Sequence, residues 1–279
     1  MSDPRPVKKT PVPFRVWRWN GAEIVALRSG LPLTDRGFRY GWHLFESLAV
    51  RGGRVLLARE HLDLLADAAR RNGFPFSRKL CSDLGKFFDR SSLRDGMLRV
   101  YLTAGPGAPA AAVTKPACYL TWEETVFPSP ADLECGYRLV TRKESRLSGW
   151  GEKSGNYLAH CLALRDVRGH GADEALILDA GGRVVSCAMG NLLVWPRSGD
   201  SILTPSPASG GRSGAVLSWV RGAANLREKI LVAADLRRAR ALAVTNSRLG
   251  VMPVSRLDGR DLPDPSPSLT LARRYLDAI

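Results

Sequence analysis

Lys153 is the residue of this chain whose type and neighbours most suggest covalent chemistry. It lies in residues 151–158 (GEKSGNYL), just before a predicted amphipathic helix. An uncharged lysine amine attacks a carbonyl carbon to form a Schiff base. Asn156 and Tyr157, three and four residues later, would suit a site for a carbonyl-bearing cofactor. A lysine near a helix start is also commonly a solvated charge, so Lys153 alone does not decide between the two interpretations.

The elements that must position Lys153 predict a mixed α and β fold. In the first half, Asn20-Gly21 and residues 51–54 mark hairpins, and apolar periodicity predicts helices over about 60–71 and 78–88. The second half alternates short apolar strands with helices, which are predicted to begin near residues 156, 213 and 266.

Proline and serine in residues 127–130 mark the best candidate linker. We therefore expect a short disordered tail over residues 1–14 and an N-terminal α/β domain over 15–128. A C-terminal α/β domain over 132–279 would contain a barrel-like sheet that carries Lys153.

Composition restricts the possible functions. The 279 residues are 44% hydrophobic and carry a formal charge of +14, but the arginines are spread along the chain and no nucleic-acid motif occurs. We therefore expect attraction for anionic small molecules rather than a nucleic-acid role. No apolar run approaches the roughly 18 residues of a membrane span. The five cysteines and four histidines lack metal-ligand spacing, which indicates free thiols in the cytoplasm and no metal site.

In their order and spacing, the segments from about Trp19 to Asp258 resemble the class IV aminotransferases, the fold type IV pyridoxal phosphate (PLP) enzymes. This family includes branched-chain and D-amino-acid aminotransferases and aminodeoxychorismate lyase. The motifs that carry the resemblance are residues 35–41 (DRGFRYG), 45–46 (FE), 153–158 (KSGNYL), 173–176 (DEAL), 190–192 (GNL), 203–205 (LTP), 245–247 (TNS) and 252–254 (MPV). The resemblance implies two domains with a cofactor cleft between them, in a homodimer.

The resemblance also implies roles for individual residues. Lys153 would form the Schiff base with PLP and shuttle a proton, and the Tyr157 hydroxyl would face the cofactor ring. Residues 209–214, here called the glycine turn, precede a helix whose free amides would bind the phosphate. The implied phosphate ligands are Ser213, Gly214, Ala215, Val216 and Ser247. Glycines before a helix are also common in plain turns, and Tyr157 could belong to the core.

Three positions depart from the family pattern, and the third is the pair Trp42-His43 described below. Leu64 stands three residues beyond His61, where the family has an arginine that contacts the phosphate. Ser186 stands five residues before Asn191, where the family has a glutamate that keeps the pyridine nitrogen protonated. A hydroxyl can bond a neutral pyridine but cannot hold it cationic, so elimination would be less affected than amino-group transfer. The sequence leaves open which arginine replaces the missing phosphate contact; the candidates are Arg39, Arg59 and Arg212.

The substrate side of the cleft is expected to include Tyr40, His43 and Arg99. Trp42-His43 replaces the family's Asp-Gly pair and would place bulky groups near the cleft. Arg99 matches a strand position that some relatives use near the substrate carboxylate, although an exposed surface arginine is an equal alternative.

Two hypotheses follow. The first is a PLP enzyme that acts on an amino acid or an amino-chorismate-like substrate, as an aminotransferase or a lyase. The spacing from Lys153 to Asn156 and Tyr157 favours the lyase and D-amino-acid group over the branched-chain group. The alternative keeps the fold but loses the cofactor, and uses the cleft for a PLP-independent reaction or for binding.

Overall fold

The computed structural model describes residues 14–90, 92–143 and 152–279. Of the expected disordered tail, residues 1–13 lie outside the described residues, and Phe14 already belongs to the first strand. None of the helices in the described ranges is both long enough and apolar enough to cross a membrane.

Fifteen strands lie in the described residues. They are β1 (Phe14–Trp19), β2 (Ile24–Ala26), β3 (His43–Arg51), β4 (Arg54–Val55), β5 (Gly96–Thr103), β6 (Ala117–Glu124), β7 (Tyr137–Lys143), β8 (Glu174–Leu178), β9 (Val184–Cys187), β10 (Asn191–Pro196), β11 (Ile202–Pro205), β12 (Leu226–Lys229), β13 (Ala239–Asn246), β14 (Gly250–Leu257) and β15 (Arg260–Asp261).

Eight α-helices accompany these strands within the same ranges. They are α1 (Arg36–Tyr40), α2 (Ala58–Arg71), α3 (Arg78–Arg90), α4 (Pro130–Cys135), α5 (Leu158–Gly169), α6 (Ala215–Ala223), α7 (Ala233–Arg237) and α8 (Ser266–Ala278). A 3-10 turn at Pro207–Ser209 leads into the glycine turn.

The first six strands form one antiparallel sheet with the order β2-β1-β6-β5-β3-β4. Its core-facing side chains alternate along β3, where Leu44, Leu48 and Val50 are buried. Because a strand turns alternate side chains to one face, this set packs together against helix α2, including Leu65 and Ala69. Packing in the core therefore determines which face of β3 is buried.

The remaining nine strands form a second, mixed sheet with the order β12-β11-β10-β13-β14-β7-β8-β9, and β15 extends β14. Strand β13 is buried without interruption from Ala241 to Thr245. Helix α6 packs against β13, α8 packs against β13 and β14, and α5 packs against β8. A sheet covered in this way favours continuous apolar strands rather than alternating ones.

Lys153 lies between β7 and α5, not on a strand of the second sheet, which corrects the expectation that this sheet carries it. Its main chain instead pairs with β3 of the first sheet: the Phe45 amide donates to the Lys153 carbonyl at 2.9 Å, and the Gly155 amide to the His43 carbonyl at 3.0 Å. Ser154 forms a bridge with Leu44. Both halves of the chain therefore position the lysine.

Helix α4 begins at Pro130, the last residue of the expected linker at residues 127–130. Ser129 caps helix α4, since its hydroxyl accepts from the Asp132 amide and the Asp132 carboxylate accepts from the Ser129 amide. Such a capping box specifies where a helix begins. The first sheet ends at Glu124 and the second begins at Tyr137; the division into two domains near residue 130 stays a prediction.

Candidate active site

A cleft lies beside Lys153, where the two sheets meet. Its walls come from β3, α2, the turn between β9 and β10, the glycine turn, the start of α6 and the end of β13. The expected site residues among its lining are Lys153, Tyr157, Ser186, Gly214, Ala215, Val216 and Ser247. Ser213 lines an adjoining cavity, which also contains Lys153 and Leu64.

The Lys153 amine lies in a setting that opposes its protonation. Its Nζ is 4.9 Å from the centre of the Phe45 ring. Desolvation by the surrounding protein lowers the Lys153 pKa to about 8; Glu46 opposes this shift, while Arg212 and Arg99 add to it. With that pKa, roughly a tenth of the amines are uncharged at pH 7, against fewer than about one in a thousand at the ordinary value. Lys153 is therefore suited to act as a nucleophile and a base.

Glu46 is the carboxylate at the centre of the cleft. It occupies a core-facing position of β3 between Leu44 and Leu48, and only 6% of its side chain is exposed. Its Oε1 accepts from Arg212 Nη2 at 2.6 Å. Burial alone would raise the Glu46 pKa, but Arg212, Lys153 and His61 together lower it to about 2. Glu46 therefore stays ionised and supplies the counter-charge for the cations around it.

His61, on α2, connects Glu46 to the opposite wall of the cleft. Its Nδ1 lies 2.8 Å from Glu46 Oε2, and its Nε2 lies 3.2 Å from Ser247 Oγ. Burial lowers the His61 pKa, so the ring is neutral near pH 7. Since an ionised carboxylate only accepts, the proton lies on Nδ1 and Ser247 donates to Nε2. The chain Glu46–His61–Ser247 thus links β3, α2 and the end of β13.

The glycine turn is held in place by backbone contacts that exclude larger residues. Asn191 Nδ2 donates to the Arg212 carbonyl at 2.6 Å. A Cβ on Gly214 would lie 2.5 Å from Asn191 Oδ1, and one on Gly211 would lie 2.5 Å from the Val185 carbonyl oxygen. Gly214 caps α6, so the first amides of that helix are directed toward the cleft, as in an anion site.

Thr245 adds an unsatisfied group to the same wall. It is 0% exposed, and its Oγ1 has no hydrogen-bond partner among the described residues. A buried hydroxyl without a partner costs free energy unless a water or ligand satisfies it. The residue lines the cleft, so a bound molecule can satisfy this hydroxyl.

The rings of Tyr157, His160, Phe45 and Tyr101, here called the aromatic wall, lie at one side of the cleft. The Tyr157 ring stacks on His160 with 4.5 Å between ring centres and meets the edge of Phe45 at 5.1 Å. Burial raises the Tyr157 pKa, so the phenol stays protonated. Beyond Phe45, the ring of Tyr101 stacks on it at 5.7 Å. This wall offers flat surfaces and the Tyr157 hydroxyl donor to an aromatic ring.

Two of the departures from the family pattern, Ser186 and Leu64, line different cavities that both include Lys153. Ser186 lines the cleft, and its hydroxyl donates to the Cys187 carbonyl at 2.8 Å. Leu64 lies behind the glycine turn, in the cavity shared with Arg212 and Ser213. The guanidinium that reaches the cleft comes from Arg212, because Arg59 is 92% exposed and beside Asp63, and Arg39 stacks over Tyr40.

A second, wider cavity opens on the other side of Lys153. Arg99 and His43 line it, together with Tyr101, Glu174 and Arg248. Arg99 forms an ion pair with Glu123. Burial raises the Glu174 pKa to about 7, against the backbone amides of residues 175, 188 and 189, which lower it. Arg99 and His43 therefore line a cavity that reaches Lys153, and their role toward a substrate stays a prediction.

Two residues expected near the substrate side line neither cavity, so a substrate role for Tyr40 stays a prediction. Tyr40 lies at the end of α1, is 40% exposed and lines neither cavity. Trp42 does not narrow the cleft either: its ring meets Phe74 edge-on and stacks under the guanidinium of Arg36, in the core of the first sheet. Trp42 occupies a core-facing position of this segment. Its bulky ring therefore packs in the core of the first sheet and not in the cleft.

Sequence reasoning did not assign roles to Glu46 and His61, which line the cleft, or to Phe45, which contacts the Lys153 amine. A signal for Glu46 was present, since a carboxylate at an apolar, core-facing strand position needs a charged partner. The partner itself could not be found from spacing, because Arg212 is 166 residues away along the chain. No group of three or more potential metal ligands occurs in the residues that the structure describes.

Comparison with known proteins finds similar sequences and structures over most of the chain. The family model described as "Amino-transferase class IV" matches residues 43–257. A protein of Methanocaldococcus jannaschii, whose name provisionally assigns it as a branched-chain-amino-acid aminotransferase, is 28% identical over 259 residues, 86% of this chain and 87% of that protein.

Two further similarities cover most of the chain. The D-alanine aminotransferase of a Listeria monocytogenes serotype 4b strain is 23% identical over 255 residues, which is 83% of this chain and 84% of that enzyme. The crystal structure of 4-amino-4-deoxychorismate lyase from Pseudomonas aeruginosa matches with a TM-score of 0.72 and 26% identity, covering 91% of this chain and 95% of that one.

Proposed function

Since this chain belongs to the class IV aminotransferase family and is an enzyme of that type, we propose that it is a PLP enzyme. Its substrate would be an amino acid or an amino-chorismate-like compound, and its reaction amino-group transfer or lyase-type elimination. The observation that carries the proposal is the Lys153 amine, held in a cleft with its pKa lowered to about 8. The comparisons do not favour the PLP-independent alternative.

The residues of the cleft fit PLP. The first amides of α6 and the Thr245 hydroxyl suit a phosphate, while the aromatic wall around Tyr157 suits a flat ring. Ser247, whose hydroxyl is already positioned by His61, can add a donor at the phosphate end. Lys153 supplies the amine that holds the aldehyde.

When bound, PLP supplies a ring that accepts negative charge from the substrate α-carbon. Lys153 holds and moves the proton at that carbon, since its pKa of about 8 lets it both take up and release a proton near neutral pH. The negative charge of Glu46 offsets the positive charges of Arg212 and Lys153. The aromatic wall excludes water from one side of the cleft.

Ser186 favours elimination over amino-group transfer. A serine hydroxyl can donate to a neutral ring nitrogen but cannot stabilise a protonated one. The charge-accepting capacity of the ring is therefore smaller, and the multistep transfer of an amino group depends on it more than elimination does. We therefore favour lyase-type elimination as the reaction.

Substrate would enter through the wider cavity. Its arginines, Arg99 and Arg248 among them, suit the carboxylates of an amino acid or of an amino-chorismate-like molecule. His43 would face the substrate from the rim of the same cavity. The net charge of +14 further favours an anionic substrate.

A homodimer in the cytoplasm completes the proposal. Leu31, Leu33 and Phe38 are 52%, 70% and 66% exposed within ten residues of one another, and a second copy of the chain would cover such a patch. All five cysteines are free thiols, which suits a reducing compartment. Light scattering would show twice the mass of one chain if the dimer forms.

The activity is tested by adding PLP to the purified protein and comparing it with Lys153→Ala. The wild type is expected to gain a visible absorbance band that the variant lacks, and to release pyruvate from aminodeoxychorismate or to transfer an amino group from D-alanine to a keto acid. A wild type without the band and without either activity would contradict the proposal.

A further inference from the structure

Arg212 is the cation of the glycine turn, and its position suggests a role that the proposed function does not assign. Its guanidinium lines the cleft, and 26% of its side chain is exposed. The main chain of Arg212 is fixed by Asn191, which donates to its carbonyl. Helix α6 begins three residues later at Ala215, so a positive side chain and the helix amides share one short segment.

The guanidinium is only partly used. Arg212 Nη2 donates to Glu46 at 2.6 Å, and the structure gives no other acceptor for this side chain among the described residues. An arginine has five N–H donors in a planar fork. Donors therefore remain for a second anion, and Glu46 fixes the direction in which they point.

One other observation marks an anion site at this wall, and the side chains of α2 bear on which residue supplies its cation. The Thr245 hydroxyl is fully buried, lines the cleft and lacks a partner among the described residues. Leu64 faces Arg212 and Ser213 across the adjoining cavity, so α2 contributes an apolar side chain there. Arg71, also in this cavity, is engaged by both carboxylate oxygens of Glu152 at 2.6 and 3.1 Å.

We propose that Arg212 supplies the phosphate-binding cation of this enzyme, in place of a cation at position 64, and that Glu46 acts as its positioning residue. This inference rests on the proposed function, because the phosphate is that of PLP. It assigns the cation to the segment that already provides the helix amides, so the turn binds the phosphate as one unit.

The test compares PLP with pyridoxal, which has the same aldehyde and ring but no phosphate. Affinities are measured by absorbance titration for the wild type, Arg212→Gln, the double variant Leu64→Arg with Arg212→Gln, and Arg221→Gln. Glutamine can still donate to Glu46, and thermal melts verify that each variant is folded. Arg221 is the matched control, since it lies on α6 and pairs with Glu228 on the surface.

The expected result is that Arg212→Gln weakens PLP binding about 10- to 100-fold and changes pyridoxal binding less than about threefold. The double variant should recover most of the lost affinity, and Arg221→Gln should match the wild type. Equal PLP affinity for Arg212→Gln and wild type, or an equal loss for pyridoxal, would overturn the inference while leaving the proposed function intact. A wild type that binds neither compound would overturn the proposed function itself.

Discussion

The Arg212 guanidinium donates to the Glu46 carboxylate at 2.6 Å and so connects the glycine turn of the second sheet region to β3 of the first. Glu46 also accepts from His61 at 2.8 Å and interacts with Lys153. The protonation of the lysine is therefore coupled to the contact between the two halves of the chain. Substitutions at Glu46 should alter both stability and chemistry.

The reaction of Lys153 with PLP should follow the titration of its amine. Because the uncharged form reacts, the rate of covalent attachment is expected to rise about tenfold per pH unit below pH 8 and to level off above it. Stopped-flow absorbance across pH 6 to 10 measures this profile. A midpoint at pH 10 or above would mean that the protein does not desolvate the amine.

Glu46→Gln should move that midpoint to lower pH. Glu46 raises the Lys153 pKa, whereas burial and Arg212 lower it, so removing the carboxylate charge leaves the lowering effects unopposed. Glu134→Gln is the control, because Glu134 is 64% exposed and pairs with Arg273 on the surface. A midpoint that is the same in wild type and Glu46→Gln would show that the two groups are not coupled.

The same carboxylate predicts loss of stability in acid. The folded-state pKa of Glu46 is about 2, below its ordinary value of 4.5. Its contribution to the free energy of unfolding is thus fully present above pH 4.5 and lost as the pH falls toward 2. Urea unfolding at several pH values should show a smaller decrease over this window in Glu46→Gln than in wild type; identical slopes would contradict the assignment.

Gly214→Ala should weaken PLP binding by about tenfold or more, since the added Cβ would lie 2.5 Å from Asn191 Oδ1 and displace the turn. Gly222→Ala is its matched control on the same helix, where an added Cβ meets nothing within 4 Å. Cofactor titration distinguishes the two. If both variants bind PLP as the wild type does, the close packing of Gly214 has no role in the site.

Ser186→Glu should increase amino-group transfer relative to elimination. A carboxylate at this wall of the cleft can keep the ring nitrogen protonated, which a hydroxyl cannot do. The ratio of amino-group transfer to pyruvate release, measured on one preparation, is the readout, with Ser186→Gln as a control that adds length without charge. An unchanged ratio in Ser186→Glu would remove the basis for favouring the lyase.

Arg36→Lys should lower stability by about 2–3 kcal/mol. The Arg36 side chain is buried and donates to the carbonyls of Gly105, Ala104 and Ala111 at 3.1, 2.6 and 2.5 Å. A lysine cannot reproduce this planar set of donors. Denaturant unfolding should detect the loss, and Arg39→Lys on the exposed side of α1 should unfold like the wild type.

Much of the fold was predictable because it follows from local patterns. The hairpin at Asn20-Gly21 lies between β1 and β2, and the predicted helix near residue 213 is α6. Helix α4 was missed because Pro130 suggested a linker, although proline is well tolerated in the first turn of a helix. Strand β12 was missed because its exposed, charged residues show no apolar alternation.

The candidate site was predictable only where a motif lies within one segment. Lys153 and Tyr157 are four residues apart and both line the cleft. The partners of Glu46 come from α2 and the glycine turn, which tertiary folding alone brings together. The exposed position of Tyr40 was not predictable, because it depends on the short helix α1 being capped by Gly41 in a left-handed conformation, at φ 65°.

The most direct test of the account is the site of covalent attachment of PLP. The protein is incubated with PLP, reduced with borohydride, digested and mapped by mass spectrometry, with Arg273→Lys as a control for labelling of surface lysines, since Arg273 is 66% exposed. The account predicts one stoichiometric adduct, on Lys153, among the eight lysines of the chain. An adduct distributed over other lysines, or none on Lys153, would contradict it.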